Sequence, residues 1–174
     1  MPTRDLDLPH LTLKDALDLA IVIEEEARDR YLELAESLEL HHTPDAAAFF
    51  MFMAKNEERH RAELSERRLE RFGDQPRSVG PLNVFDVEAP EYDDARAFMT
   101  VRQALDMALQ AELKAHRFFV SVLSSIEDPK VRALLEELRD EEVLHQDLVR
   151  AQIAKLPLKP EPKPDDYADE PAPQ

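Results

Sequence analysis

Residues 57–60 read Glu-Glu-Arg-His and residues 142–145 read Glu-Val-Leu-His, so the chain carries two copies of a Glu-x-x-His motif. Each copy lies in a long stretch with helical periodicity. An α-helix turns by about 100° per residue, so positions three apart lie on one side of the helix, one turn from each other. Glu57 and His60 can therefore reach one point in a bundle interior, and so can Glu142 and His145.

A second periodic stretch precedes each motif and carries one glutamate on its apolar face, Glu24 in the first half and Glu112 in the second. Because apolar residues that recur at helical spacing mark the buried face, both glutamates are predicted to point into the core. The apolar residues that share the Glu24 face are Leu13, Leu17, Ala20, Ala27, Tyr31, Ala35 and Leu38. Those that flank Glu112 are Leu105, Ala108, Ala115 and Phe119.

The two halves of the chain form an internal repeat. Glu24 recurs 88 positions later as Glu112, and the Glu-x-x-His motifs are 85 positions apart. A shorter turn between the helices of the second half accounts for the difference. The repeat therefore predicts that each half forms one helical hairpin. Together the two hairpins are expected to form a pseudo-twofold bundle, with three inward ligand candidates from each half.

The expected burial of four carboxylates favours a metal site. An ionised carboxylate in an apolar core costs several kcal/mol unless it is paired or coordinated. Two divalent cations would neutralise four carboxylates and leave two neutral imidazoles as further ligands. Oxygen and imidazole ligands without thiolate suit iron or manganese better than copper(I), with zinc as a further alternative.

This pattern resembles the ferritin-like two-metal carboxylate superfamily, most closely its rubrerythrin and bacterioferritin branches, over about residues 12–156. The resemblance implies an all-α fold, an antiparallel four-helix bundle of two helical hairpins joined by a long crossover. It also implies two iron ions, held by bridging carboxylates from the two motifs, by terminal or bridging carboxylates from the preceding helices, and by one imidazole each. The implied metal ligands are Glu24, Glu57, His60, Glu112, Glu142 and His145.

Tyr31 follows Glu24 by seven residues, about 20° away in helical projection, so its ring is predicted in the core. Its hydroxyl then needs a partner, and a ligand carboxylate is the nearest candidate. In the families that the chain resembles, a tyrosine here contacts the metal site, which implies a catalytic role for Tyr31. The alternative is an ordinary core tyrosine. The repeat-equivalent Phe119 has no hydroxyl, so the site is expected to be chemically lopsided.

Three departures from these families limit the functional assignment. Rubrerythrins usually carry a further glutamate three residues after the ligand of the third helix, where this chain has Ala115. Bacterioferritins place a haem-ligating methionine directly after the glutamate of the second helix, where this chain has Glu58, so no haem is expected. Cage-forming ferritins tend to end in a short fifth helix, where this chain is rich in proline.

Composition is typical of one acidic helical domain. The 174 residues include 22 basic and 38 acidic side chains, and the net charge of −16 argues against a nucleic-acid partner. Without cysteine, this chain can hold no iron–sulfur or rubredoxin-type centre, so an electron donor must be external. No apolar signal core or membrane-length apolar run is present, so a cytoplasmic location without membrane contact is expected.

Proline and glycine predict the helix boundaries. The predicted helices cover residues 12–40, 44–72, 92–126 and 129–156, with Thr43-Pro44 and Asp128-Pro129 as helix starts. A long connection, residues 73–91, joins the hairpins. The predicted domain organisation is a bundle over residues 1–156 and a proline-rich disordered or extended tail over residues 157–174.

Three classes of function fit this pattern. The leading one is a rubrerythrin-like di-iron oxidoreductase that reduces hydrogen peroxide or O₂, with a manganese catalase as a variant. The second is a ferroxidase or an iron-storage or iron-handling protein, for which ferrous ion is the substrate. The third is a non-catalytic helical interaction module, which a protein without transition metal would indicate.

Glu25 and Glu26 are interpreted as surface charges. Glu58, Glu63 and Glu141 are interpreted as flank residues, with a supporting role beside the ligands as the alternative. The histidines His10, His41, His42 and His116 are interpreted as solvated.

Phe52 is about 140° from Glu57 in projection and is predicted to face outward beside Met51. Exposed apolar side chains on an acidic protein predict a homodimer interface. The alternative is cover by residues 73–91.

Overall fold

The computed structural model describes residue 7 and residues 10–40, 44–80 and 100–157, and all structural statements below refer to these residues. They form four helices and no strand: α1 (Leu13–Leu40), α2 (Pro44–Phe72), α3 (Val101–Leu123) and α4 (Pro129–Ile153). The predicted all-α four-helix bundle is confirmed. The proline-rich tail from residue 158 and most of the predicted connection lie outside the described residues.

The first hairpin is antiparallel, as its cross-helix contacts show. Asp18 near the start of α1 contacts Arg68 near the end of α2, whereas Arg28 further along α1 contacts Glu58 further back on α2. Likewise, α3 packs on α4, and α1 also meets α4. The two halves thus form two hairpins that pack together, as the internal repeat predicts.

Helices α2 and α4 also run antiparallel to each other across the bundle. Arg67 of α2 binds Glu137 of α4 through two guanidinium–carboxylate contacts of 2.8 and 3.1 Å. Glu57, which precedes Arg67 by two to three turns of α2, lies beside His145, which follows Glu137 by about two turns of α4. The two motif-bearing helices therefore face each other, and this arrangement brings their histidines together.

The helix ends follow local capping chemistry. The third helix starts at Val101, because Thr100 is extended and forms a capping box with Gln103, and residues 92–99 of the predicted helix lie outside the described residues. It stops at Leu123, short of residue 126. The hydroxyls of Ser124 and Ser125 bond to carbonyls one turn back, which competes with continuation of the helix.

The other helix boundaries lie close to their predicted positions. Pro44 begins α2 as predicted, although Thr43 lies outside the described residues. Gly73 follows α2 with a positive φ of 59°, a conformation that glycine adopts without strain. Asp128 caps α4 through the backbone N–H groups of Lys130 and Val131. The fourth helix ends at Ile153 and continues as a turn to Leu156.

The core has two apolar clusters, one toward each end of the bundle. One joins the first part of α1 to the second half of α3 and the start of α4, and the other joins the second part of α1 to the starts of α2 and α3. The apolar residues predicted to share the faces of Glu24 and Glu112 are buried, apart from Leu13, which is half-buried. The ligand candidates lie between the two clusters.

The first part of α1 is buried on all sides, whereas the sequence pattern predicted that only one face of this helix would be buried. Residues 16–24 are all buried, including Asp18. Residues 73–80 cover the outer side of this helix, where Val79 joins the core and Ser78 bonds to Asp18 through its backbone N–H at 2.9 Å. The connection between the hairpins therefore begins by packing over the first part of α1. None of the helices described is long and apolar enough to cross a membrane.

Candidate metal centre

All six side chains predicted as ligands meet in the middle of the bundle. Each is buried, with exposed fractions between 0% for Glu112 and 8% for His60. One carboxylate comes from each of the four helices, and one imidazole from each of α2 and α4. The residues that the structure brings together are Glu24, Glu57, His60, Glu112, Glu142 and His145.

The two imidazoles lie at the centre of this cluster. Their rings are stacked, with centroids 5.4 Å apart and planes inclined by 8°. His145 Nδ1 is 3.3 Å from Glu57 Oε1 and 3.5 Å from Glu112 Oε2. His60 Nδ1 is 3.9 Å from Glu24 Oε2 and also 3.9 Å from Glu57 Oε2. Glu57 thus stands between the two histidines, where a carboxylate shared by two metals would be placed.

The donor atoms fall into three overlapping groups, each compact enough for one ion, with all atoms of a group within 4.8 Å of one another. One group lies around His60, one around His145, and the third joins the two histidines through Glu57. The groups are Glu24, His60 and Glu141; Glu112, Glu142 and His145; and Glu57, His60 and His145.

The polar atoms of this cluster fit metal ions. His60 Nδ1 and Glu112 Oε2 are fully buried and have no hydrogen-bond partner. A buried polar atom without a partner costs about 1–3 kcal/mol, and such atoms are uncommon in folded proteins. Metal coordination would satisfy both atoms and would neutralise the surrounding carboxylates.

Burial sets the protonation states of two members of the cluster. It raises the pKa of Glu24 to about 7, although a hydrogen bond with Glu57 opposes this shift. It lowers the pKa of His60 to about 4, and the nearby His145 and Arg59 add to this effect. His60 is therefore neutral at neutral pH, which is the form of imidazole that binds metals.

Tyr31 lies at the same site. Its hydroxyl donates a hydrogen bond to Glu112 Oε1, so its partner is a predicted ligand carboxylate from the other hairpin. Its ring stacks on Phe50 at a centroid distance of 5.9 Å. The repeat-equivalent Phe119 is buried in the opposite cluster and offers no hydroxyl. The two halves of the cluster therefore differ as predicted, with a hydroxyl in the first half and none at the equivalent position of the second.

Glu141, interpreted from the sequence as a flank residue with a supporting role as the alternative, lies beside His60. Its Oε2 is 3.9 Å from His60 Nδ1, and its side chain is 27% exposed. Burial raises the pKa of this carboxyl group. Its position directly before Glu142 could have indicated a place near the site. A helical projection of α4 shows only the direction of the Glu141 side chain, however, and not that α2 lies opposite it.

An open cleft of about 380 Å³ between α2 and α4 leads from the surface to both histidines. It provides a route to the centre for a small molecule or an ion. Its lining residues are Asn56, Arg59, His60, Glu63, Glu141, Leu144, His145 and Leu148.

The other predicted surface groups lie away from the centre. Glu58 bonds to Arg28 and Arg61, and hydrogen bonds from Arg61 and Arg28 lower the pKa of its carboxyl group to about 2. Glu25 pairs with Arg77 at 3.0 Å. The remaining described members are exposed or half-buried, and two histidines lie outside the described residues. The exposed or half-buried residues are His10, Glu26, Glu63 and His116, and the undescribed ones are His41 and His42.

Two antiparallel hairpins, in which each helix contributes one carboxylate and each half one imidazole to a central buried cluster, define a ferritin-like helical bundle. The family model for rubrerythrin matches residues 15–153, so the chain belongs to the rubrerythrin family. The predicted resemblance to this branch is confirmed.

Two solved structures are similar to this chain. An uncharacterized conserved protein from Magnetospirillum magnetotacticum MS-1 is 28% identical, with a TM-score of 0.69, over 86% of this chain and 97% of that one. A hypothetical protein from Pyrococcus furiosus is 22% identical, with a TM-score of 0.55, over 82% of this chain and 89% of that one, and supports the fold alone. No curated protein gave a significant match.

Proposed function

We propose that this protein is a rubrerythrin-like di-iron oxidoreductase that reduces hydrogen peroxide or O₂ at the four-carboxylate, two-histidine centre. The observation that carries this proposal is the convergence of these six buried side chains at the end of an open cleft. Family membership supports it. Oxygen and imidazole donors suit iron and manganese, and iron is the metal that we propose.

The protein's own residues would hold the ions in two unequal positions. Glu24 and His60 would serve one position, Glu112 and His145 the other, and Glu57 would be shared. Glu142 belongs to the group around His145. Because burial raises the pKa of Glu24 to about 7, a cation must displace a proton from part of the population near neutral pH. Metal affinity is therefore expected to increase with pH.

When bound, the metal pair supplies two electrons at one place. Reduction of one hydrogen peroxide takes two electrons and two protons and yields two water molecules. The cleft admits the oxidant, and the apolar clusters on both sides limit the entry of bulk water. Since the chain has no cysteine, the electrons must come from an external donor. Tyr31 holds Glu112 in place from the other hairpin and is the proposed catalytic residue outside the ligand set.

A second function, ferrous-ion oxidation linked to iron handling, is favoured by the cleft and by the charge of the chain. Glu63 and Glu141 line the path to the histidines, and the net charge of −16 concentrates cations near the surface. In this case ferrous ion is the substrate, and it must enter and leave through the cleft.

Metal analysis followed by stopped-flow oxidation tests the two functions. Natively purified protein is expected to hold about two iron ions per chain, as two positions require. An oxidoreductase should be oxidised by peroxide or O₂, then reduced by an external donor through many turnovers, with its metal content constant. Slow oxidation by both oxidants, or a ferric core that grows with added ferrous ion, would contradict the first function. Protein without transition metal would favour an interaction module.

A further inference from the structure

The cleft is lined by equivalent positions of the two hairpins, which are related by the pseudo-twofold symmetry of the bundle. Its eight lining residues form four pairs, each related by the same 85-residue offset as the Glu-x-x-His motifs. The pairs are Asn56 and Glu141, Arg59 and Leu144, His60 and His145, and Glu63 and Leu148. Only the histidine pair is chemically symmetric. Within the cleft, differences between the two halves therefore reside in the other three pairs.

The pair formed by Asn56 and Glu141 differs in its ability to bind a cation. Helix α4 contributes the carboxylate of Glu141, whereas α2 contributes the neutral amide of Asn56 at the equivalent place. Glu141 joins Glu24 and His60 in a compact group of possible ligands, whereas Asn56 carries no charge that could neutralise a cation. Each half contributes one carboxylate to the cleft, Glu63 from α2 and Glu141 from α4, but only Glu141 lies close enough to His60 to belong to a group of possible ligands.

The distances around His60 suit an ion better than a hydrogen bond. His60 Nδ1 is 3.9 Å from an oxygen of each of three carboxylates, those of Glu24, Glu57 and Glu141. Hydrogen bonds are not formed at this separation. Two ligands that each lie about 2.1 Å from one ion can be up to about 4.2 Å apart. This nitrogen is buried without a hydrogen-bond partner, in a residue that is 8% exposed.

We propose that Glu141 is a seventh metal ligand, which binds the ion beside His60 and makes this position differ from the one beside His145. This inference rests on the proposed di-metal function. Glu141 is partly exposed in the cleft, so its carboxylate can reach the ion from the open side while Glu24 reaches it from α1. Asn56 leaves the second position without such a group.

Anaerobic titration with Co²⁺, followed by visible absorption and calorimetry, measures each position without an activity assay. The wild-type protein should bind two ions. Glu141→Ala should raise the dissociation constant of one position by at least roughly tenfold and leave that of the other unchanged, because a ligand is lost at one position only. Glu141→Asn, which reproduces the amide of Asn56, should make the two positions more alike.

Glu63→Gln is the matched control, because Glu63 lines the same cleft but belongs to none of the ligand groups. It should bind Co²⁺ as the wild type does. Equal weakening by the Glu63 and Glu141 variants would overturn the proposal, since it would show general cation attraction. Unchanged constants in both Glu141 variants, with helix content preserved, would also overturn it. A wild-type protein that binds no Co²⁺, iron or manganese would instead contradict the proposed function.

Discussion

Tyr31 donates a hydrogen bond to Glu112 across the interface between the two hairpins, at the level of the candidate metal centre. Tyr31 lies on α1 and Glu112 on α3, so the contact joins helices from opposite halves of the chain. Its repeat-equivalent is absent, because Phe119 stands where a second hydroxyl would be. The two halves of the site therefore differ in a hydrogen bond as well as in the pair formed by Asn56 and Glu141.

Tyr31→Phe should destabilise the metal-free protein by about 1 kcal/mol, the net contribution of a typical hydrogen bond. The phenylalanine ring retains the packing on Phe50, so only the hydroxyl is removed. Urea unfolding followed by circular dichroism measures the change. If Tyr31 has the proposed catalytic role, reoxidation of the reduced protein should also slow. Wild-type stability and wild-type oxidation rates together would contradict both roles.

Glu57→Ala should abolish tight binding of two metal ions while helix content stays high. Glu57 stands between the two histidines, and its loss also relieves carboxylate repulsion in the metal-free core. Elemental analysis of the purified variant gives the metal content. Glu58→Ala is the control, since Glu58 is bound to Arg28 and Arg61 outside the centre and its loss should leave two ions per chain. Two tightly bound ions in Glu57→Ala would show that the assigned site is wrong.

Asp18→Asn should destabilise the protein by about 3 kcal/mol, as expected when one partner of a buried ion pair is removed. Asp18 is fully buried and binds Arg68, which is 8% exposed. The repeat-equivalent Asp106 is exposed and pairs with Arg102 on the surface, so Asp106→Asn should cost no more than about 1 kcal/mol. Urea unfolding of both variants measures the difference. Equal effects would contradict a structural role for the buried pair.

The contribution of Asp18 should disappear in acid. Burial alone would raise the pKa of this carboxyl group, but hydrogen bonds from Arg68, Ser78 and Lys14 outweigh burial and hold the pKa below its ordinary value of 3.8. The stabilisation is therefore complete above the unfolded pKa and is lost as the pH falls through the lower folded pKa. The difference in unfolding free energy between the wild type and Asp18→Asn should be constant from pH 5 to 7 and decrease below about pH 4. A difference that grows in acid would contradict this assignment.

Phe52→Glu should shift a homodimer toward monomer in light scattering. Phe52 is 47% exposed beside Met51, which is 41% exposed, as predicted from the helical projection. A charge at this place would be buried in a dimer interface and would weaken association. Val120→Glu is the control, because Val120 is equally exposed at 48% but lies on α3. An unchanged mass for Phe52→Glu would contradict the interface.

Short-range sequence patterns were sufficient to predict the class of fold and the six side chains that converge in the candidate site. Helical periodicity specifies which side of each helix is buried, and the three-residue spacing within each motif specifies that Glu57 accompanies His60 and Glu142 accompanies His145. Local chemistry also placed most helix ends, as at Pro44 and Asp128. These features depend on neighbours within a few residues, so they can be read without knowledge of the packing.

The tertiary structure alone decided which groups meet across helices. A helical projection gives the direction of a side chain but not what lies opposite, so it could not show that Glu141 reaches His60 or that Tyr31 bonds to Glu112. The same limit applied to Asp18, whose burial depends on residues 73–80 packing over α1. Contacts between distant segments are set by how the hairpins pack against each other, and that packing gives a pseudo-symmetric set of candidate ligands different neighbours in the two halves.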